Sequence, residues 1–266
     1  MFVEILACIK QVPDTSEIKI DPVTNTLIRK GVPSIVNPFD MNAVETAIQL
    51  KEANPGSTVT LLTMGPPAAT EALRDCFAMG CDRAVLLTDR AFAGADTYAT
   101  SYALAVAAQK LGKFDVIVCG MQAVDGDTGQ VGPEMAEHLG IPQVTYVIDA
   151  KTEEGKLVCQ RQQEDGYEVV ECQLPALITV TKAINSPRHA NVRGKIKAKR
   201  YEVEMLSADA LGDKLDRSKI GLKGSPTKVK SAAPPKLRGR GDDITGGDAK
   251  DSVANLMQRL VEQKVI

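Results

Sequence analysis

The residues of this 266-residue chain best suited to chemistry run from Gly120 through Met121, Gln122, Ala123, Val124, Asp125, Gly126, Asp127, Thr128, Gly129, Gln130, Val131 and Gly132 to Pro133. The chemistry they suit is the holding of an anion. Ahead of them, Phe114 to Cys119 is a short, β-branched, nearly all-apolar run of the kind a parallel strand shows when both faces are covered. Behind them, Val131, Met135 and Leu139 recur at helical spacing. A helix opening near Gln130 aims its unpaired N–H groups and the positive end of its dipole into the loop. Gly126 and Gly129 let the backbone come close, and Thr128 and Gln130 add donors without charge, which suits a diphosphate held mainly by backbone amides. Asp125 and Asp127 sit where phosphate would come near, pinning either backbone amides or ribose hydroxyls. The alternative is a glycine-rich crossover loop with no ligand. Its spacing is neither the Gly-x-Gly-x-x-Gly of dinucleotide folds nor a Walker loop, since no Gly-Lys-Ser/Thr follows.

Other chemistries find little material. His138 and His189 are the only histidines and lie far from each other and from any cysteine pair, which argues against a zinc site or a Cys-His nucleophile. The six cysteines, Cys8, Cys76, Cys81, Cys119, Cys159 and Cys172, form no Cys-x-x-Cys and read as reduced, buried thiols. No side chain stands out as a general acid or base, and no metal site is assigned. The 32 basic and 34 acidic residues nearly cancel, and five Phe, five Tyr and no Trp leave few stacking platforms, so nucleic acid is not an expected partner. No apolar run approaches the ~20 residues of a membrane helix. Met1 to Lys10 is too short and too early charged for a signal peptide, and a cytoplasmic location is expected.

The elements that must position the loop follow from hydrophobic patterning. Val3 to Ile9 reads as a first buried strand ending in a turn-forming segment, Lys10 to Asp14. Glu17–Asp21 and Thr26–Lys30 alternate around Pro22 to Asn25 as a surface hairpin. A helix starts near Asn37-Pro38-Phe39-Asp40, with Asn42 and Glu45 spaced as a capping box and Asp40 an equally good cap. Then come strands at Thr58–Met64 and Arg83–Leu87, with helices at 68–79 and at about 98–111. This alternation predicts a Rossmann-like, doubly wound, mainly parallel α/β sheet. Beyond Pro142, runs at 144–148, 156–161, 167–172 and 176–181 predict an antiparallel extension, the middle two joined at Glu164-Asp165-Gly166.

After about Asn185 the character changes. Length admits one large α/β domain with an appendage, taking about 150 residues per domain. We expect an α/β domain over residues 1–185, a basic segment over 186–205 and an extended arm over 206–266. Residues 215–251 are rich in Gly, Pro, Lys and Ser with few apolar side chains and cannot form a core of their own. A closing amphipathic helix over 252–265, with Val253, Leu256, Leu260 and Val261 on one face, suits packing on a partner subunit or docking back on its own domain.

Five ordered segments resemble one family along the whole chain: Ile5 to Asp14, Asn37 to Asp40 with the following Ala-Val-Glu-Thr-Ala, Ala78 to Ala84, Gly120 to Pro133, and Leu174 to Val180 leading to Asn185-x-Pro187-Arg188. They resemble the β (small) subunit of electron transfer flavoproteins. The resemblance implies a heterodimer with an α subunit that carries a redox-active FAD, and a nucleotide held by the β subunit. Carried over, its site comprises Cys8, Asn37, Phe39, Asp40, Met64, Gly120, Gln122 and the run from Ala123 to Gly132. Met64 stands where some relatives have cysteine.

Val-Asp-Gly-Asp-Thr-x-Gln-Val-Gly-Pro and the segment Phe92 to Thr100 resemble the electron-bifurcating class, whose β subunit holds a second FAD where others hold structural AMP. That adds Gly94, Asp96, Thr97 and Thr100, with Ala93, Gly94 and Ala95 leaving room for a ribityl chain. The resemblance then implies hydride from NADH, one electron to ferredoxin or flavodoxin and one through the α-subunit FAD to a flavin-dependent dehydrogenase of acyl-CoA or 2-hydroxy-acid type. The basic stretch from Pro187 to Arg200, with Val192 as an apolar anchor, resembles a partner-recognition loop. A β subunit with AMP, and a non-enzymatic nucleotide-binding module, are the alternatives.

Overall fold

The computed structural model describes residues 2–14, 33–230, 239 and 241–266. These divide into two compact units, residues 2–14 with 33–230, and residue 239 with 241–266. The expected hairpin over 17–30 lies outside the described residues.

In the first unit, β1 (Glu4–Cys8) sends Ile5 and Ala7 into one buried cluster and Leu6 and Cys8 into the other. Both faces are covered, so the strand shows no polar alternation. β2 (Gln11–Pro13) pairs antiparallel with β3 (Ser34–Val36), which corrects the expected turn at 10–14. Val12 is 1 % exposed, and its burial draws the segment into a ribbon despite Pro13. There follow α1 (Pro38–Ala53), β4 (Thr58–Met64), α2 (Thr70–Phe77), β5 (Arg83–Leu87), α3 (Thr97–Leu111), β6 (Val116–Gly120) and α4 (Val131–Leu139). The helix expected over 68–79 is a single 3-10 turn, Pro67–Ala69, followed by the shorter α2, Thr70–Phe77.

Next come β7 (Gln143–Glu153), β8 (Lys156–Gln163), β9 (Gly166–Gln173), β10 (Ala176–Val180), α5 (Val192–Arg200), β11 (Glu204–Leu206), α6 (Ala208–Leu211) and α7 (Gly221–Gly224). Among the described residues, nine strands make one sheet in the order β11-β5-β4-β1-β6-β10-β7-β8-β9. Pairing is parallel from β11 to β7 and antiparallel from β7 to β9. β10 is therefore not part of the antiparallel extension: it enters the parallel body between β6 and β7. All five of its residues are buried, and each large apolar side chain so placed contributes about 1.5–3 kcal/mol.

α1 and α2 supply one core cluster with Val44, Ile48, Leu73 and Phe77, and α3 and α4 supply the other with Leu104, Val106 and Met135. The second cluster also takes Leu206, Ala208, Leu211, Leu215 and Ile220. The compact unit thus continues past residue 205, through irregular chain whose apolar residues have no period to read. Five cysteines are buried and Cys172 is half-buried, all as free thiols. The expected hairpin at Glu164-Asp165-Gly166 joins β8 to β9, with Glu164 and Asp165 in the turn and Gly166 the first residue of β9.

The second unit carries α8 (Ala249–Glu262), three residues ahead of the expected start. Asp248 caps it, accepting from the Asp251 amide at 2.8 Å. Among the described residues no helix is long and apolar enough to cross a membrane.

Candidate functional site

The carboxyl ends of β1 and β6 mark the point where the sheet order reverses, since β4 lies on one side of β1 and β6 on the other. Crevices at such points are where open α/β sheets hold ligands. β6 ends at Gly120, and Cys8 and Cys119 lie side by side in the register of the two strands. Over this point runs the loop from Met121 to Gln130, which delivers the chain into α4.

Asn37 organises the loop. It is wholly buried and precedes α1, yet its side chain does not cap that helix. Its Nδ2 donates to the Gln122 carbonyl at 2.8 Å, and its Oδ1 accepts from the Val124 amide at 3.1 Å. Its own amide donates to the Lys10 carbonyl at 2.9 Å. One side chain therefore ties the loop to the end of β1. α1 opens at Pro38, so neither Asp40 nor Asn42 is the cap that the residue pattern suggested. Proline has no amide to satisfy and its fixed φ suits the first helical position. That frees Asn42 to donate to Asn185, and Glu45 to pair with Arg188.

Asp40 is the buried acid of the site, 6 % exposed, and accepts from the Lys10 amide at 2.7 Å. Burial pushes its pKa up to about 7 against the opposing hydrogen bonds from Asn37, Lys10 and Gly120. A Cβ on Gly120 would overlap Asp40 Oδ1 and lie 2.8 Å from Phe39. One on Gly132 would lie 2.7 Å from Thr179. Both glycines allow close packing of helix on sheet. Around Gly126 there is open space, and Gly129 adopts φ +63°, a left-handed conformation that favours glycine.

The loop spends some amides on itself. Gly126 and Asp127 both donate to the Ala123 carbonyl, at 3.1 and 2.8 Å. The amides of Thr128, Gly129, Gln130, Val131 and Gly132 have no hydrogen-bond partner among the described residues. Five consecutive donors thus lead into the N-terminus of α4, next to that of α3. Thr97 Oγ1 lies 3.2 Å from Gln130 Oε1 and donates to Glu134 at 3.0 Å. This donor set fits the phosphates of a nucleotide.

The other residues are placed as follows. Asp125 pairs with Lys10, and Asp127 accepts from Gln122 at 2.8 Å. Phe39 faces the Lys182 ammonium, 4.8 Å from its ring centroid. Cys8 and Met64 pack toward the α3–α4 cluster, with Cys8 Sγ 3.9 Å from Met135 Sδ. Asp96 caps α3, accepting from the Ala99 amide at 3.0 Å, and also accepts from the amide and hydroxyl of Thr227. A Cβ on Gly94 would lie 3.3 Å from Leu222 Cβ, and its φ of +74° is left-handed, so close packing and backbone conformation both favour glycine there. Thr100 continues the first turn of α3, its amide on the Asp96 carbonyl. Lys10, Glu134 and Lys182 were not singled out from sequence. Glu134, an acid in the first turn of α4, was the most readable of the three.

Fold and site together define a Rossmann-like α/β protein with a glycine-containing loop of unpaired amides at the switch point of its sheet. Residues 24–211 match the electron transfer flavoprotein domain, and the chain belongs to the electron transfer flavoprotein family. It is 52 % identical over 263 residues to an electron transfer flavoprotein subunit beta of Thermoanaerobacterium thermosaccharolyticum, covering 98 % of this chain and 99 % of that one. A subunit beta of Megasphaera elsdenii is 51 % identical over 271 residues, covering 99 % and 100 %. The caffeyl-CoA reductase-Etf complex subunit CarD of Acetobacterium woodii is 49 % identical over 262 residues, covering 98 % and 99 %. Homology to β subunits implies an electron-transfer role and an α-subunit partner.

Proposed function

We infer that this chain is the β subunit of a heterodimeric electron transfer flavoprotein, and that its loop holds FAD. Bound there, the flavin would supply hydride acceptance from NADH and the division of its two electrons between ferredoxin or flavodoxin and, through the α-subunit FAD, a partner dehydrogenase. The single observation that carries the reading is the run of five unspent amides from Thr128 to Gly132, at the switch point and beside two helix N-termini. Similarity to a subunit of a caffeyl-CoA reductase-Etf complex supports a dehydrogenase-type partner.

The chain's own part is binding and orientation. Asn37 fixes the loop against β1, Gly126 leaves open space at the backbone, and the α4 dipole favours the diphosphate. The basic helix α5, with Val192 and Ile196 exposed at its surface, is the segment assigned to dehydrogenase recognition. The exposed apolar residues of α8, Val253, Leu256 and Val261, are assigned to the α subunit.

AMP is the second reading. It uses the same five donors and asks nothing of Gly94, where Leu222 already sits. Co-expression with the α subunit, a count of FAD and AMP per heterodimer, and an NADH bleach separate the two. Two FAD with rapid bleaching supports the first reading; one FAD and one AMP with no NADH response replaces it with a simple carrier.

A further inference from the structure

The donors that the loop itself offers are neutral: five amides, the Thr128 hydroxyl and the Gln130 amide. A phosphate brings net negative charge, and such a site is stabilised further by a fixed counter-charge. Lys10 is the cation bound to this loop. Its backbone is held from both sides, its amide donating to Asp40 Oδ2 at 2.7 Å and its carbonyl accepting from Asn37 at 2.9 Å. Its side chain leaves the end of β1 and reaches the loop, where Nζ lies 2.6 Å from Asp125 Oδ1. The lysine side chain is 46 % exposed and the aspartate 10 %, so one face of the ammonium is open to an incoming ligand. Lys182, the neighbouring cation, is engaged over the Phe39 ring instead.

Asn37 also fixes the two ends of this pair. It holds the Lys10 carbonyl with its amide and the Val124 amide, adjacent to Asp125, with its Oδ1. The ammonium is thereby kept within reach of the loop while its three donors outnumber the one carboxylate oxygen it meets.

We propose that Lys10 is the phosphate-binding cation of this site and that Asp125 is its resting partner, which a nucleotide phosphate displaces from the ammonium. The proposal rests on the reading that a nucleotide occupies the loop, and holds equally for AMP and FAD because both carry phosphate there.

The test is calorimetric titration of AMP and of adenosine into the co-expressed heterodimer stripped of β-side nucleotide. Lys10→Met lowers AMP affinity about 10- to 100-fold, the range of a lost charge-assisted hydrogen bond, and leaves adenosine unchanged. Lys10→Arg keeps most of the AMP affinity. Asp125→Asn, which frees the ammonium, tightens AMP several-fold with adenosine again unchanged, and it carries the test should Lys10→Met fold poorly. An AMP-to-adenosine affinity ratio that does not move in Lys10→Met or Asp125→Asn overturns the assignment and makes Lys10 a structural brace. Equal losses for both ligands do the same. A wild-type complex that binds neither ligand overturns the nucleotide reading itself, and a stoichiometry of AMP in place of FAD overturns only the choice of cofactor.

Discussion

Arg188 closes on Glu45 through two of its nitrogens, Nε at 2.8 Å from Oε2 and Nη2 at 3.0 Å from Oε1, and the glutamate side chain is only 4 % exposed. The same guanidinium reaches Glu52, two helical turns further along α1. Burial alone would raise the Glu45 pKa, but the hydrogen bonds and charge of Arg188 outweigh it and hold the carboxyl below its ordinary value. This fork ties the segment ahead of α5 to α1, beside the Asn42–Asn185 bond. Arg188, read from sequence as one charge of a basic recognition stretch, is a strut for that stretch.

Removal of one partner leaves the other charge without its counterpart in a largely buried place. Arg188→Met is expected to cost about 3 kcal/mol, at the low end for broken buried pairs because the arginine is one-third exposed. Urea denaturation of wild type and variant measures it, and a midpoint unchanged by the substitution would contradict the strut role. Because the Glu45 pKa is lowered on folding, the pair's stabilisation is present above the unfolded value and disappears as pH falls through the folded one.

Asp40 has the opposite sign. Its pKa rises from 3.8 to about 7 on folding. The folded chain holds the proton more tightly, so the contribution is fully present below the unfolded value and is lost as pH rises through about 7. Wild-type stability is expected to carry a downward component between roughly pH 4 and 7 that Asp40→Asn lacks. Urea midpoints taken every half pH unit reveal it; parallel curves for the two proteins would rule it out.

Gly120, at the end of β6, and Gly126, in the loop that follows, should behave differently. Gly120→Ala places a methyl group on Asp40 and Phe39, and should cost 1–3 kcal/mol or more as an overpacked site. Gly126→Ala meets nothing within 4 Å and should change stability by no more than about 0.5 kcal/mol. On the nucleotide reading it still lowers AMP affinity several-fold by keeping the backbone from the ligand. Thermal melts with and without AMP distinguish these outcomes, and a Gly126→Ala protein with unaltered ligand stabilisation would count against close backbone approach.

Asp96→Ala removes the cap of α3 and both bonds to Thr227. A loss of about 1 kcal/mol is expected from the cap alone. Hydrogen exchange should accelerate at the Thr227 amide as well as in the first turn of α3. Faster exchange confined to α3 would mean that the Thr227 bonds hold nothing in place.

The parallel body of the fold was legible because its strands are covered on both sides. Thr58–Met64 and Arg83–Leu87 begin and end where the apolar runs do. β10 was seen as a strand but not placed, since a run such as Ala176–Val180 says that it is buried and nothing about which neighbours bury it. The 206–225 stretch was unreadable for a related reason: Leu211, Leu215 and Ile220 fall in or between very short helices and share no period, yet fill the α3 side of the core. The loop and its following helix were read from glycine and helical spacing. Asn37 was read locally as the start of a helix and as a site residue only through resemblance, and its bonds to Gln122 and Val124 span 85 and 87 residues, a separation no local pattern encodes.

The seat of β10 between β6 and β7 also has a meaning for biosynthesis. When the ribosome has released residues 1–142, β6 is an open edge of the growing sheet, with Ile117, Val118 and Cys119 awaiting a neighbour. The strand that must lie there is made only after the long excursion through β7, β8 and β9. Pairings so distant in sequence form late, and uncovered strand edges invite other chains. The nascent chain therefore passes through a vulnerable interval that closes when Ala176–Val180 emerges, and with Met121 donating to the Val180 carbonyl at 2.9 Å, the loop after β6 acquires its seat in that same late event.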